Sequence, residues 1–188
     1  MGKAGSRGNK SIIYKITTTG MLLALGIILP ILFHVFSISG LIFLPMHIPV
    51  LICGLLCGWQ YGMVIGLILP FAANLISGAP PIYPTAISMA FELMAYGVVI
   101  ALAFKLFQKI MRNEFAYIVS LIIALVGGRI VLAIVNIILL NLQGNTYTIE
   151  AFISAAFVTA IPGIIIQLIF IPVLMVILDK SGFVRKFL

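Results

Sequence analysis

LPMHIPVLICGLLCGWQYGMVIGLILPFAANLISGAPPIYPTAISMAFELMAYG, residues Leu44–Gly97, is apolar enough to lie in a bilayer, yet six prolines interrupt it: Pro45, Pro49, Pro70, Pro80, Pro81 and Pro84. His47, Asn74 and Glu92 lie within it. Where there is no water, helix breakers and unpaired polar groups cost several kcal/mol, so they persist only beside protein or an aqueous cavity. A segment that merely filled a membrane would need none of them. The pattern points to a binding site.

Working outward, the whole chain has the composition of an integral membrane protein. Of its 188 residues 63% are hydrophobic and 8% charged, and the mean hydropathy is +1.31. That length allows a single compact bundle, and no polar stretch is long enough for a separate domain. Apolar runs fall at about Ile12–Phe36, Met46–Cys57, Trp59–Ser77, Pro84–Phe107, Phe115–Asn141 and Ala151–Leu178. A span takes roughly 20 residues; four runs reach that, the third nearly does, and Met46–Cys57 falls short. The fold expected is an all-α six-helix transmembrane bundle (residues 12–180) flanked by basic tails at 1–11 and 181–188.

Charge sets the orientation. Lys3, Arg7, Lys10 and Lys15 precede or open the first run; Lys105, Lys109 and Arg112 separate the fourth and fifth; Lys180, Arg185 and Lys186 end the chain. In a six-pass arrangement all of these lie on one side. The opposite loops, about Ser37–Pro45, Gly78–Tyr83 and Leu142–Glu150, contain no Lys or Arg. By the positive-inside rule both termini are cytoplasmic. The +7 net charge therefore reflects topology, and no nucleic-acid partner is expected. The first run is too long for a signal-peptide core and is expected to be retained. Met1–Ser6 fits a myristoylation pattern by letter, but an acyl chain adds little to six spans.

The remaining basic residue, Arg129, stands in the middle of the fifth run, and Glu92 about two turns into the fourth. Counted from the outer ends they lie roughly 12 Å (Glu92) and 18 Å (Arg129) deep. Each would cost about 2.5–3.5 kcal/mol near the bilayer centre. Two readings stay open. The pair can lock two helices together, or Arg129 can offer its planar fork to an anionic ligand entering from outside; a ligand carboxylate could also share the arginine with Glu92. His34, His47, Asn74, Asn136 and Asn141 lie in the same outer half. Ser88 is one turn from Glu92 and Asn136 two turns from Arg129, so each pair shares a helix face. A single Asn in a membrane helix is more often interhelical glue than a ligand contact; the shared depth is what singles out the group.

Other chemistry is not indicated. His34 and His47 lack companions at metal-ligand spacing, and Cys53 and Cys57 read as buried inert thiols. No phosphate-binding loop, nucleophile elbow or zinc-protease motif is present, so the chain is not expected to be an enzyme. Gly62 and Gly66 form a small-residue stripe read as internal packing. Gly20 and Ala24, near Gly26, form another on the first helix, read either as packing or as a dock for a second membrane protein.

The size, the early small-x-x-x-small motif, the long first outer loop, LPMHIPVL with the glycines after it, and the A-P-P…P…M-A-F-E-L…Y-G element resemble the substrate-binding (S) component of energy-coupling factor (ECF) vitamin transporters. The likeness covers about Tyr14–Leu178, with Gly20 standing where alanine is usual. It implies high-affinity capture of a vitamin from outside by a protein of the bacterial cell membrane. It also implies a transmembrane scaffold (T) partner, two cytosolic ABC-type ATPases that hold ATP and Mg, no cofactor on this chain, and delivery by toppling in the membrane. Gly20 and Ala24 would match the scaffold-docking motif. The first outer loop would then be a lid, allowing the second helix to be short. His47, Asn74, Tyr83, Ser88, Glu92, Arg129 and Asn136 form the expected pocket, with Phe91 or Tyr96 as apolar walls. An arginine at that depth favours a carboxylate, and LPMHIPVL resembles the pantothenate-specific branch. Pyridoxine, a thiamin precursor and niacin compete. The rival class is a self-sufficient proton-coupled transporter using Glu92 or His47, against which stands the absence of a discernible inverted repeat.

Overall fold

A computed structural model of the protein describes residues 3–36, 43–142 and 160–187. Its helices are α1 (Lys3–Val35), α2 (His47–Cys57), α3 (Trp59–Ser77), α4 (Ile87–Phe107), α5 (Asn113–Leu142) and α6 (Ile161–Lys180). Residues 37–42 and 143–159 lie outside this description. Most of the expected lid, most of the last outer loop and the start of the sixth run fall there.

Among the described residues five helices are long and apolar enough to cross a membrane; α2, with 11 residues, is not. At about 1.5 Å per residue it extends about 16 Å, roughly half the hydrocarbon thickness. Met46–Cys57, the run that falls short in the sequence, is thus a half-length helix beside five full-length ones among the described residues. Hydrophobic side chains such as Leu75, Ile134, Ile138 and Ile169 are exposed along the long helices, as a lipid-facing surface requires. α2 behaves differently. It is apolar all round, and ten of its residues, all but Ile48, are buried, as expected for a helix with no lipid- or water-facing stripe.

Glycine decides how closely α2, α3 and α4 approach. A Cβ on Gly66 would lie 2.5 Å from the backbone of Leu93 and Met94, and one on Gly62 would lie 2.8 Å from the carbonyl oxygen of Gly97. A Cβ on Gly54 would lie 2.6 Å from that same oxygen. The Gly62/Gly66 stripe is therefore internal packing, as its sequence suggested. Gly58 alone joins α2 to α3, at φ 96°, a conformation that a residue with a side chain rarely adopts. The end of α2 and the start of α3 are consequently at the same level.

α5 packs broadly on α4, where Phe104 and Tyr117 stack with centroids 4.6 Å apart. Gly128 leaves room for the ring of Tyr96. At one end of the bundle Asn113 Nδ2 donates to Asp179 Oδ2 (3.0 Å), and Ser11 Oγ donates to the Phe187 carbonyl (3.0 Å). These contacts bring the start of α1, the start of α5 and the C-terminal segment together. Both basic tails contain helical segments. The first is helical from Lys3, with no proline before the apolar run to stop it. The last forms a short turn at Val184–Lys186, with Phe187 buried and Lys186 Nζ above the rings of Tyr14 and Phe183.

Candidate ligand-binding site

The short α2 ends inside the bundle, so its first residue, His47, meets α4 and α5 at the level of their polar side chains. On α4 the spacing Ser88, Glu92, Tyr96 repeats every four residues and keeps all three on one buried face. α5 supplies Arg129. Glu92 Oε1 accepts from Arg129 Nη1 at 2.9 Å and from Tyr96 Oη at 3.0 Å. His47 Nε2 is 3.6 Å from the same oxygen, and its ring lies 5.2 Å from that of Tyr96, centroid to centroid. Glu92 is 2% exposed and Arg129 5%. The first of the two sequence readings is thus realised: Glu92 and Arg129 pair and tie α4 to α5.

The pairing leaves much unused. Arg129 Nε and Nη2 are buried without a hydrogen-bond partner among the described residues, as are both ring nitrogens of His47. The Tyr117 hydroxyl and both amide atoms of Gln167 are in the same condition. Leaving a buried polar group unpaired costs about 1–3 kcal/mol, and more for a charged one. Such groups are uncommon, and a cluster of them calls for a ligand or water to complete it. A guanidinium with one N–H engaged by a carboxylate and the others free can still take a second anion.

Arg129 also closes one end of a cleft of about 180 Å³ between α5 and α6, lined by Ile122, Leu125, Val126, Ile164 and Leu168. Its walls are apolar, and Arg129 is the single charged residue among its lining groups. This volume is below the roughly 300–1,000 Å³ of a drug-sized ligand site, and the cleft presents almost no polar surface.

The other expected site residues are distributed more widely. Ser88 is buried near Glu92, but its hydroxyl lies 3.1 Å from the carbonyls of both Pro84 and Thr85 on its own chain segment. Asn74 Nδ2 donates to the Pro80 carbonyl at 2.8 Å, fastening the end of α3 to the proline loop. Tyr83 is exposed and donates to the Leu139 carbonyl, linking the turn Ile82–Ala86 to α5. Asn136 is half-buried, two turns along α5 from Arg129. Phe91 is exposed, whereas Tyr96, the other suggested wall, is fully buried and belongs to the Glu92 network. Gly20 and Ala24 are exposed on α1, and no atom lies within 4 Å of a Cβ built on Gly20. The His34 side chain lies outside the described residues.

Sequence reading passed over Gln167. Its signal was the same as that of Arg129: one amide-bearing side chain in IPGIIIQLIFIPV, where every neighbour is apolar. Its complete burial is a product of α6 packing.

Multiple apolar spans surrounding an incompletely satisfied polar cluster define a multi-pass membrane protein built around a polar interior. Residues 14–176 match the family described as ECF transporter, substrate-specific component. The chain belongs to that family, whose members serve vitamin-type transport and are not enzymes. No curated protein and no solved structure matches it.

Proposed function

We propose that this chain is a high-affinity vitamin-binding S component that takes a small carboxylic acid, with pantothenate as the best fit, from outside the bacterial cell membrane. The observation that carries the reading is Arg129: it is buried, held by Glu92 through one nitrogen, and has Nε and Nη2 without partners among the described residues. The ligand carboxylate binds these two groups, and Glu92 holds the guanidinium in place. Both termini are cytoplasmic, on the strength of the positive-inside rule. Loaded protein joins a transmembrane scaffold and two ATPases, which bind ATP and Mg, and topples to release its cargo. The exposed Gly20/Ala24 face of α1 supports its use as the scaffold dock, since a close helix contact there would meet no obstruction.

Calorimetric titration of the detergent-solubilised chain with pantothenate, pyridoxine, a thiamin precursor and niacin tests the cargo. Pantothenate should give saturable heat, and Arg129→Ala should weaken it by about 100-fold, the cost of losing a charge-assisted pair of roughly 3 kcal/mol. Heat from another vitamin alone would overturn the pantothenate assignment; equal affinity in the variant would leave Arg129 a structural partner. The proximity of His47 to Glu92 favours a second reading, proton-coupled transport by the chain alone. Reconstituted in vesicles without partners, the chain should bind but not accumulate substrate. Proton-driven uptake there would replace the first reading with the second.

A further inference from the structure

His47 stands on α2 with 1% of its surface exposed, and neither ring nitrogen has a hydrogen-bond partner among the described residues. Its Nε2 lies 3.6 Å from Glu92 Oε1, the oxygen that Arg129 Nη1 reaches at 2.9 Å. That gap is longer than a hydrogen bond. The carboxylate oxygen is thus committed to Arg129 and Tyr96, while the imidazole beside it is idle. Histidine is the side chain whose charge most readily changes near neutral pH. Glu92 and Tyr96 face it from α4, and Arg129 reaches the same carboxylate from α5. α1, α3 and α6 also pack on α2. Their described titratable side chains are Tyr14 and Lys15 on α1, Tyr61 on α3, and Asp179 and Lys180 on α6. These lie toward the other end of α2, where Cys57 reaches the Lys15 carbonyl and Ser11 holds the segment after α6. Cys53, on α2 itself, lies against Thr19 of α1.

With His47 neutral, Glu92 and Arg129 cancel and the cluster is electrically balanced. A carboxylate arriving at Nε and Nη2 of Arg129 leaves one uncompensated negative charge away from water, which is costly. A proton on His47 alone upsets the balance the other way. The two together restore neutrality, and a charged imidazole donates from both ring nitrogens, which offers Glu92 Oε1 a further donor. Each therefore removes the cost of the other, and by linkage the effect is mutual. We propose that His47 takes up a proton when an anion binds Arg129, so that the site captures an acid as carboxylate and proton together. The inference rests on the carboxylate-binding reading and deepens it. It concerns binding, and holds whether or not the chain transports unaided.

The test uses the full-length chain in detergent, with pantothenate and nicotinate as the acids. Their carboxylates stay ionised between about pH 6 and pH 8, so they take up no proton themselves. Titration calorimetry at about pH 7.5 in HEPES and in Tris, buffers with different ionisation heats, should report roughly half to one proton taken up per acid bound. Raising the pH withdraws that proton, so affinity should fall about tenfold or more from pH 6 to pH 8. His47→Gln keeps hydrogen-bonding groups but cannot titrate; it should abolish the uptake and flatten the pH profile to within about twofold. If that variant does not fold, His34→Asn labelled with nitrogen-15 histidine leaves His47 as the sole imidazole. Its signals should move to those of the charged ring when the acid is added. Binding of an acid without proton uptake, uptake that survives in His47→Gln, or imidazole signals unmoved by the acid overturns the inference while the arginine site stands. Heat from neither acid, whatever other vitamin binds, overturns both this inference and the reading beneath it.

Discussion

The two sides of the bundle are built on opposite plans. On the α2–α3–α4 side, glycines bring backbones together until no side chain fits between them. On the α5–α6 side a cleft opens with Arg129 in its lining, and Arg129 and the buried Gln167 have hydrogen-bonding groups unused among the described residues. Dispersion contacts among close-packed backbones hold membrane helices rigidly, so the first side can act as a frame. Unpaired buried donors and acceptors are a standing cost that a bound ligand removes, so the second side is where binding energy is available. Glu92 joins the two, projecting from the packed side to restrain the arginine of the open one.

The greatest expected loss comes from cutting that joint. Glu92→Leu leaves the Arg129 guanidinium buried and uncompensated, which should destabilise the chain by about 3–5 kcal/mol. The double variant Glu92→Leu/Arg129→Leu should recover most of this. Thermal melting in detergent reads both; a double variant as unstable as the single one would show that the ion pair is not the cause. Next comes the frame itself. Gly66→Val would drive a branched side chain into the α4 backbone at Leu93 and Met94, costing about 1–3 kcal/mol or more through overpacking. A melting curve like that of wild type would refute the description of this side as rigid.

A smaller change is expected at the Tyr83–Leu139 tie, which joins the proline turn to α5. Tyr83→Phe should cost about 0.5–1.5 kcal/mol, the usual net value of one hydrogen bond, with ligand affinity nearly unaffected. An affinity loss as large as that of Arg129→Ala would move Tyr83 into the ligand shell. The smallest effect belongs to Gly20→Ala. With open space around it, its influence on the melting temperature of the isolated chain should fall within about 0.5 kcal/mol. Co-purification with the scaffold subunit is the informative measurement there. Destabilisation of the isolated chain would mean that α1 packs on its own bundle at that point.

Much of the fold could be read in advance because bilayers impose strict rules. The apolar runs, the half-length of Met46–Cys57 and the segregation of Lys and Arg follow from hydrocarbon thickness and insertion chemistry. Part of the polar cluster was legible for the same reason: an ionisable residue in an apolar run needs a partner, and Glu92 and Arg129 have each other. Asn74 and Tyr83 shared the outer half with that pair, yet depth gives no angular position around the bundle. The structure turns one toward Pro80 and the other toward Leu139. Ser88 shares the face of Glu92, but its hydroxyl lies against carbonyls of its own segment, as serine in a helix often does.

The sequence by itself determined that this is a membrane-spanning all-helical chain, which ends carry its positive charge, and that Leu44–Gly97 carries more than packing. These are properties of residue type and spacing, and the bilayer reads them one segment at a time. Tertiary structure alone decided that Glu92 engages a single nitrogen of Arg129, that Tyr96 belongs to this network while Phe91 faces outward, and that Gln167 is fully buried. Those outcomes depend on helix rotation and register between segments far apart in the chain, set by glycine contacts and by bonds such as Asn113–Asp179. Periodicity within one helix contains no measure of either.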